Sequence, residues 1–355
     1  MKGKPDYVLI LIVGLLILLG VIILVSVSTA LSQEKFGTPG FYLFRHLVYG
    51  LLPGIILGFL AFKIPLGLMR KWAPVLLLAN LFLLILVFVP VVGLSFGGAK
   101  SWINLGIVSF QPSEFLKLIF ILYLASWLAA RTPRLTAFLA IIGLISLLLI
   151  LQPDIGTLGI ILIFGILIYF LSGAPLRHIL LFGAGGLAGL AALIKFEPYR
   201  LNRFLAFLRP DIEPMGLSYQ IKQALITVGS GGILGKGLGM SLQKFGFLPQ
   251  PMADSIFAIF CEEAGFIGAL ILIILFLMLA WRGFSIAKKT TDKFYRLTAL
   301  GITSWLTLQA FINIGSMIGL LPITGIPMPF ISYGGSALAT ELVGVGVLLN
   351  ISKKT

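Results

Sequence analysis

Charge, cysteine and histidine are all scarce in this chain. One cysteine, Cys261, rules out an intrachain disulfide, and two histidines, His46 and His178, far apart in sequence, argue against a histidine-based metal site. Only 11% of the 355 residues are charged, against 59% hydrophobic, so polar groups cannot cover the surface of a soluble globule. Acids are scarcer than bases, 12 against 26, and the net charge is +14. No internal repeat and no appended soluble domain are visible, so residues 1–355 read as one domain.

What is present is apolar sequence in long runs, with a mean hydropathy of +1.10. A spanning helix needs about 20 apolar residues, and lipid-facing backbone must satisfy its own hydrogen bonds. The expected fold is therefore all-α, a polytopic membrane protein of about ten transmembrane helices. Pro, Gly and charge punctuation delimits them as Tyr7–Ser28, Leu43–Phe62, Ala73–Val92, Pro112–Ala130, Leu135–Leu151, Gly156–Leu171, His178–Phe196, Ser255–Trp281, Leu297–Leu320 and Ala337–Ile351. Lys2 and Lys4 ahead of the first run, with Ser28 to Ala30 behind it, also fit a cleaved signal peptide, but the apolar part is too long for one.

The cations sort by side. Lys2, Lys4, Lys63, Arg70, Lys71, Arg131, Arg134, Arg177, Arg282, Lys288, Lys289, Lys293, Arg296, Lys353 and Lys354 fall on the face shared by both termini. The short opposite loops hold only Lys35, Arg45 and Lys100. The positive-inside rule then puts both termini in the cytoplasm. Most of the net charge is this topology signal, and nucleic-acid binding is not implied.

Between spans seven and eight lies a large outer loop, 199–254, with Arg200, Arg203, Arg209, Lys222, Lys236 and Lys244. Cations on the side that disfavours them suggest an anionic ligand, although long loops cross regardless of charge. The stretch Gly229–Gly237 is not a nucleotide loop: Ser230 stands where glycine is required and Gly237 where Ser or Thr is. Its glycines with Lys236 could still offer backbone amides to a phosphate group.

Ionisable residues within spans mark function by default. Glu114 and Lys117, three apart at the outer end of span four, are placed to pair. Asp154 stands between spans five and six, Glu262 and Glu263 lie about two turns into span eight, and Glu341 lies just inside span ten. Asp254, ahead of Ser255–Phe257, reads as a helix N-cap and also as a general base opening onto water. Pro322, Pro327 and Pro329 preclude a continuous helix, so 320–337 is expected to be a broken outer segment, with Tyr333 an interfacial anchor or a substrate contact.

These residues resemble the SEDS family (shape, elongation, division and sporulation). The resemblance is carried by Pro249–Ala264 around Asp254, Gly98–Ile103, Phe110–Glu114 with Lys117, Leu151–Gly156, the order from Asn202 and Arg203 to Lys236 and Gly237, and above all LPITGIPMPFISYGGS at Leu321–Ser336. It implies a peptidoglycan glycosyltransferase that polymerises lipid II at the outer face of the bacterial cytoplasmic membrane, beside a class B penicillin-binding protein as transpeptidase. Asp254 would be the base that deprotonates the acceptor hydroxyl in an inverting transfer. Arg45, Lys100, Trp102, Lys117, Arg203, Arg209, Lys236, Lys244, Ser332, Tyr333 and Gly334 would form the substrate-binding set. A divalent cation, Mg or Mn, is also implied, with Asp154 and Glu114 as ligands. Gln250, Met252 and Ala253 depart from the family pattern, which puts contacts around the base in doubt. Gln243 with Lys244, Gln309 with Ala310 and Asn313, and Phe330–Gly335 look more like the division type than the elongation type, which stays the runner-up. A lipid flippase and a noncatalytic scaffold for the penicillin-binding protein are the rivals from other classes.

Overall fold

The computed structural model describes residues 3–354 apart from 91, 97–98, 105, 107–108, 197–206 and 208–216. Its helices are α1 (Tyr7–Phe36), α2 (Phe41–His46), α3 (Leu52–Lys63), α4 (Leu66–Leu86), α5 (Pro112–Ala130), α6 (Leu135–Leu151), α7 (Ile155–Leu171), α8 (Leu176–Phe196), α9 (Leu217–Ser230), α10 (Ile256–Lys289), α11 (Lys293–Met317) and α12 (Gly335–Ser352). Each of the ten expected runs holds a helix, but the third leaves the helical path after Leu86 rather than Val92, and the ninth ends at Met317 rather than Leu320. Among the described residues, seven helical stretches are long and apolar enough to cross a membrane, counting Phe41–Lys63 as one, and α6 and α7 are shorter at 17 residues each.

Proline shapes two of these helices. Pro53 cannot donate to the carbonyl four residues back, and the stretch just before it, Leu47–Leu51, widens into a π turn that joins α2 to α3. Pro74 lies inside α4, which therefore starts at Leu66 and not at Ala73. The carbonyl it leaves free, that of Arg70, accepts from the Ser126 hydroxyl at 3.1 Å.

Helices α5, α11 and α12 form the centre, where Trp305 and Phe120 are fully buried. Small residues let α3 approach α12: a Cβ on Gly346 would stand 2.1 Å from the Gly58 carbonyl oxygen, so any larger residue would push the helices apart. The peripheral helices α1, α3 and α4 present Leu, Ile and Phe outward, as lipid-facing surfaces do.

Both chain ends meet on one side of the bundle. Asp6 caps α1 through the Leu9 amide (3.0 Å), its own amide donates to Ser352 Oγ (3.1 Å), and its carboxylate takes Arg282 Nε at 2.6 Å. Arg282 lies near the far end of α10, so Asp254, which precedes α10, sits at the opposite face from the termini.

Three expectations change. The all-helical reading acquires a small antiparallel sheet, β1 (Gly93–Phe96), β2 (Ala99–Asn104) and β3 (Ser109–Phe110), in order β1-β2-β3. It occupies a connection between spans, where strand pairing can satisfy backbone that is not helical. The eighth span is longer than expected, running to Lys289, and it is broken at Gly265 (φ 67°, ψ −168°). The outer loop holds a helix, α9, followed by turns from Gly231 to Ser255.

Candidate active site

Three successive carbonyls define the turn that carries Asp254. The Met252 carbonyl accepts from the Tyr333 amide at 2.8 Å, that of Ala253 from Ser332 Oγ at 2.6 Å, and that of Asp254 from Asn313 Nδ2 at 2.8 Å. The turn is thus pinned from two other parts of the chain. Only the backbones of Met252 and Ala253 take part in these bonds, so the departures there do not disturb the pinning.

Asp254 is not the N-cap of α10. Ser255 holds that position, and its hydroxyl donates back to the Pro249 carbonyl at 2.8 Å instead of capping the helix. This leaves the Asp254 carboxylate to other partners, among them Gln220 Nε2 of α9 at 3.5 Å from Oδ2. Nor is the acid on an open surface, since it is 6% exposed.

The proline segment after α11 is broken as expected. In it Gly319 and Gly325 take positive φ, and so does Phe330 (φ 63°), a conformation costly for a bulky side chain. Its backbone is satisfied by side chains. Gln309 Nε2 donates to the Pro327 carbonyl and Asn313 Nδ2 to that of Ile326, at 2.9 and 2.8 Å. Glu341 Oε2 accepts from the Phe330 amide and Ser332 Oγ from the Met328 amide, each at 2.8 Å. Asn313 therefore joins this segment to the Asp254 turn through one amide group. Gln309, Asn313 and Ser316, spaced i, i+4 and i+7 on α11, support this segment, the Ser316 hydroxyl donating to the Pro322 carbonyl at 3.0 Å. The sequence marked Gln309 and Asn313 only as division-type residues, and the polar stripe in an apolar helix was the signal for their structural role.

The second polar centre also converges on Gln309. Lys117, 1% exposed, pairs with Glu114 at 2.8 Å, donates to Gln309 Oε1 at 2.9 Å and lies 5.4 Å from the Trp305 ring. The expected pair thus forms, inside the bundle. Asp154 caps α7 through the Thr157 amide (3.2 Å) and accepts from Ser113 Oγ (2.8 Å). With Glu114 committed to Lys117 and Asp154 to these donors, the two do not fit a cation site. Among the described residues no three His, Cys, Asp or Glu gather to hold a metal.

The glycine cluster does not present a phosphate cradle. The Lys236 and Gly237 amides donate to the Glu262 and Glu263 carbonyls at 2.9 and 3.0 Å, and the Gly235 amide to Gly231 at 2.9 Å. The Lys236 and Gly237 bonds take up the carbonyls that the break at Gly265 leaves free in α10. Lys236 pairs with Glu262 at 2.6 Å, and Lys244, 3% exposed, pairs with Glu263 at 3.0 Å. Ser26 of α1 donates to both Glu263 oxygens at 2.6 and 2.7 Å. Both lysines are therefore committed to acids of the broken helix.

The remaining expected residues are scattered around this frame. Lys100 Nζ, on β2, donates to the Phe88 carbonyl at 3.2 Å, and Trp102 stands opposite Leu94 in the sheet. Arg45 lies over the Phe41 and Tyr49 rings at 5.7 and 6.0 Å. Tyr333 packs edge-on to Tyr42 and against His46, with burial raising its phenol above the ordinary tyrosine value and the Arg45 charge opposing that rise. Gly334, with φ 175°, is ordinary extended backbone at the start of α12. Arg203 and Arg209 lie outside the described residues.

Comparison with known proteins covers the whole chain. The family described as cell cycle protein, that of FtsW, RodA and SpoVE, matches residues 6–355. The stage V sporulation protein E of Bacillus subtilis is 40% identical across 99% of this chain and 98% of that protein. A probable peptidoglycan glycosyltransferase FtsW of Coxiella burnetii is 39% identical across 96% and 94%. Among solved structures, a chain from a peptidoglycan synthase complex described as coordinating polymerization and crosslinking superimposes with a TM-score of 0.80 at 30% identity, covering 98% and 97%. The rod shape determining protein RodA of Thermus thermophilus gives 0.71 at 30% identity, covering 98% and 96%.

Proposed function

The chain belongs to the FtsW, RodA and SpoVE family of cell cycle proteins, and on that premise we propose that this peptidoglycan glycosyltransferase polymerises lipid II with Asp254 as its general base. The observation that carries the assignment of the base is the pinned turn: a carboxylate at the head of α10, its own carbonyl and the two before it held by Asn313, Ser332 and Tyr333. Such fixing holds a base where an acceptor hydroxyl must be met.

In the proposed reaction Asp254 takes the proton from the 4-hydroxyl of the acceptor's GlcNAc. That oxygen bonds to the anomeric carbon of the donor's MurNAc as the bond to undecaprenyl diphosphate breaks, with inversion. Negative charge moves onto the leaving diphosphate, where cations of the substrate set stabilise it. Arg45 and Lys100, which stand outside the buried Glu–Lys pairs, are better placed for that role than Lys117 or Lys244. No step is routed through a cation, because Glu114 and Asp154 do not fit one.

The Asp254 face is the outer side of the bacterial cytoplasmic membrane and both termini are cytoplasmic, a reading supported by the basic residues gathered where the termini meet. A class B penicillin-binding protein is the proposed partner, and the cellular role is division rather than elongation. Purified protein with that partner, given lipid II, is expected to form glycan strands that Asp254→Ala abolishes. Transbilayer movement of lipid II without polymer would replace this reading with a flippase.

A further inference from the structure

Residues 231–247, expected to be polar outer loop, show an apolar surface. Ile233, Leu234, Leu238, Met240, Leu242 and Phe245 are each more than half exposed, Leu234 at 79%. The segment's charges are paired: Lys244 is buried against Glu263, and Lys236, 37% exposed, is held by Glu262. Water around such side chains would forfeit about 1.5–3 kcal/mol for each one that could instead be buried.

The segment's backbone is fastened into the break of α10. The Phe266 amide donates to the Gly232 carbonyl at 2.9 Å and the Ile267 amide to that of Ile233 at 3.2 Å, while Lys236 and Gly237 donate in the other direction. Helical rise fixes the depth of this joint. Counting back about 20 residues, the length that crosses the hydrocarbon, from Arg282 at the termini end of α10 reaches Glu262. Gly265 to Ile267 therefore lie inside the hydrocarbon edge, and Ile233 and Leu234 lie beside them. Phe266, Ile267 and Ile271 on α10 are exposed at 64%, 45% and 50%, so the apolar surface of the segment continues the lipid face of that helix.

We propose that residues 231–247 form a re-entrant element whose apolar side chains sit in the acyl chains of the leaflet on the Asp254 side. The paired amides and carbonyls of residues 231–237 are what irregular backbone requires at that depth. This inference rests on the chain spanning a membrane and not on the chemistry proposed for Asp254. It anchors the Asp254 turn at headgroup height, about 9 Å of helix beyond Glu262.

The test is collision accessibility of spin labels on the full chain in lipid nanodiscs, in a Cys261→Ala background, since Cys261 is the one cysteine. Labels at Leu234→Cys and, separately, Leu242→Cys are compared with Leu277→Cys, exposed on the lipid face of α10 and about as far from Arg282 as Ile267 is from Glu262, and with Lys289→Cys at its end. Because both test residues are exposed, either variant is expected to fold. The oxygen-to-nickel-chelate ratio at Leu234→Cys should match that of Leu277→Cys and exceed that of Lys289→Cys several-fold. A ratio like that of Lys289→Cys would overturn the proposal in favour of a solvated loop. Low access to both reagents would overturn it in favour of a cover by another protein chain.

Discussion

Two stretches of this bundle leave the helical path, and they are held by opposite means. At Gly265 the break in α10 is closed by backbone against backbone, with residues 231–237 lying so close that a Cβ on Gly235 would stand 2.2 Å from the Glu263 carbonyl oxygen. After α11 the break from Ile318 to Gly334 is closed by side chains, those of Gln309, Asn313, Ser332 and Glu341. The first is a seam with no room for a side chain at Gly231, Gly235 or Gly265. The second is a frame whose polar groups also hold the Asp254 turn, so only there does structural satisfaction reach the proposed chemistry.

The comparison predicts different failures. Gly265→Ala places a Cβ 2.3 Å from the Gly235 amide nitrogen at φ 67°, and a loss of more than about 4 kcal/mol is expected, seen as loss of folded protein in detergent size-exclusion profiles. Lys244→Ala strands the buried Glu263, partly relieved by Ser26, and should cost about 3–5 kcal/mol, read as a lowered unfolding temperature. Asn313→Ala leaves the Asp254 and Ile326 carbonyls without this donor, for about 1–3 kcal/mol, and should lower the polymerisation rate more than substrate affinity, because it loosens the base. Asn313→Asp should fare no better, since a carboxylate cannot donate. Lys236→Ala, whose side chain is 37% exposed and whose partner keeps Ser241, should cost about 1 kcal/mol or less. If Lys236→Ala proved as damaging as Lys244→Ala, the seam would depend on both pairs equally.

How much of this was legible in the sequence follows the same division. Punctuation by Pro and charge delimited Pro112–Ala130 and Leu135–Leu151 to the residue, and three prolines announced the break before α12. The Glu114–Lys117 pair was visible because its partners lie one turn apart. The seam was not visible, because one glycine in an apolar run does not announce a break and the segment it pairs with lies about thirty residues upstream. For the same reason Lys236 and Lys244 looked like a cationic surface until Glu262 and Glu263 were found beside them. Ser255 took the cap position from Asp254 by a backbone choice that residue type alone leaves open, since both residues are good caps.

The central claim is that the pinned carboxylate of Asp254 is the base. The most direct measurement is the rate of lipid II polymerisation by Asp254→Asn relative to wild type, in preparations with matched unfolding temperatures and with the partner present. Asparagine keeps the size and leaves the bonds to the three carbonyls in place, so the account predicts a fall of about two to four decades with the fold intact. Polymerisation within a few-fold of wild type would contradict it.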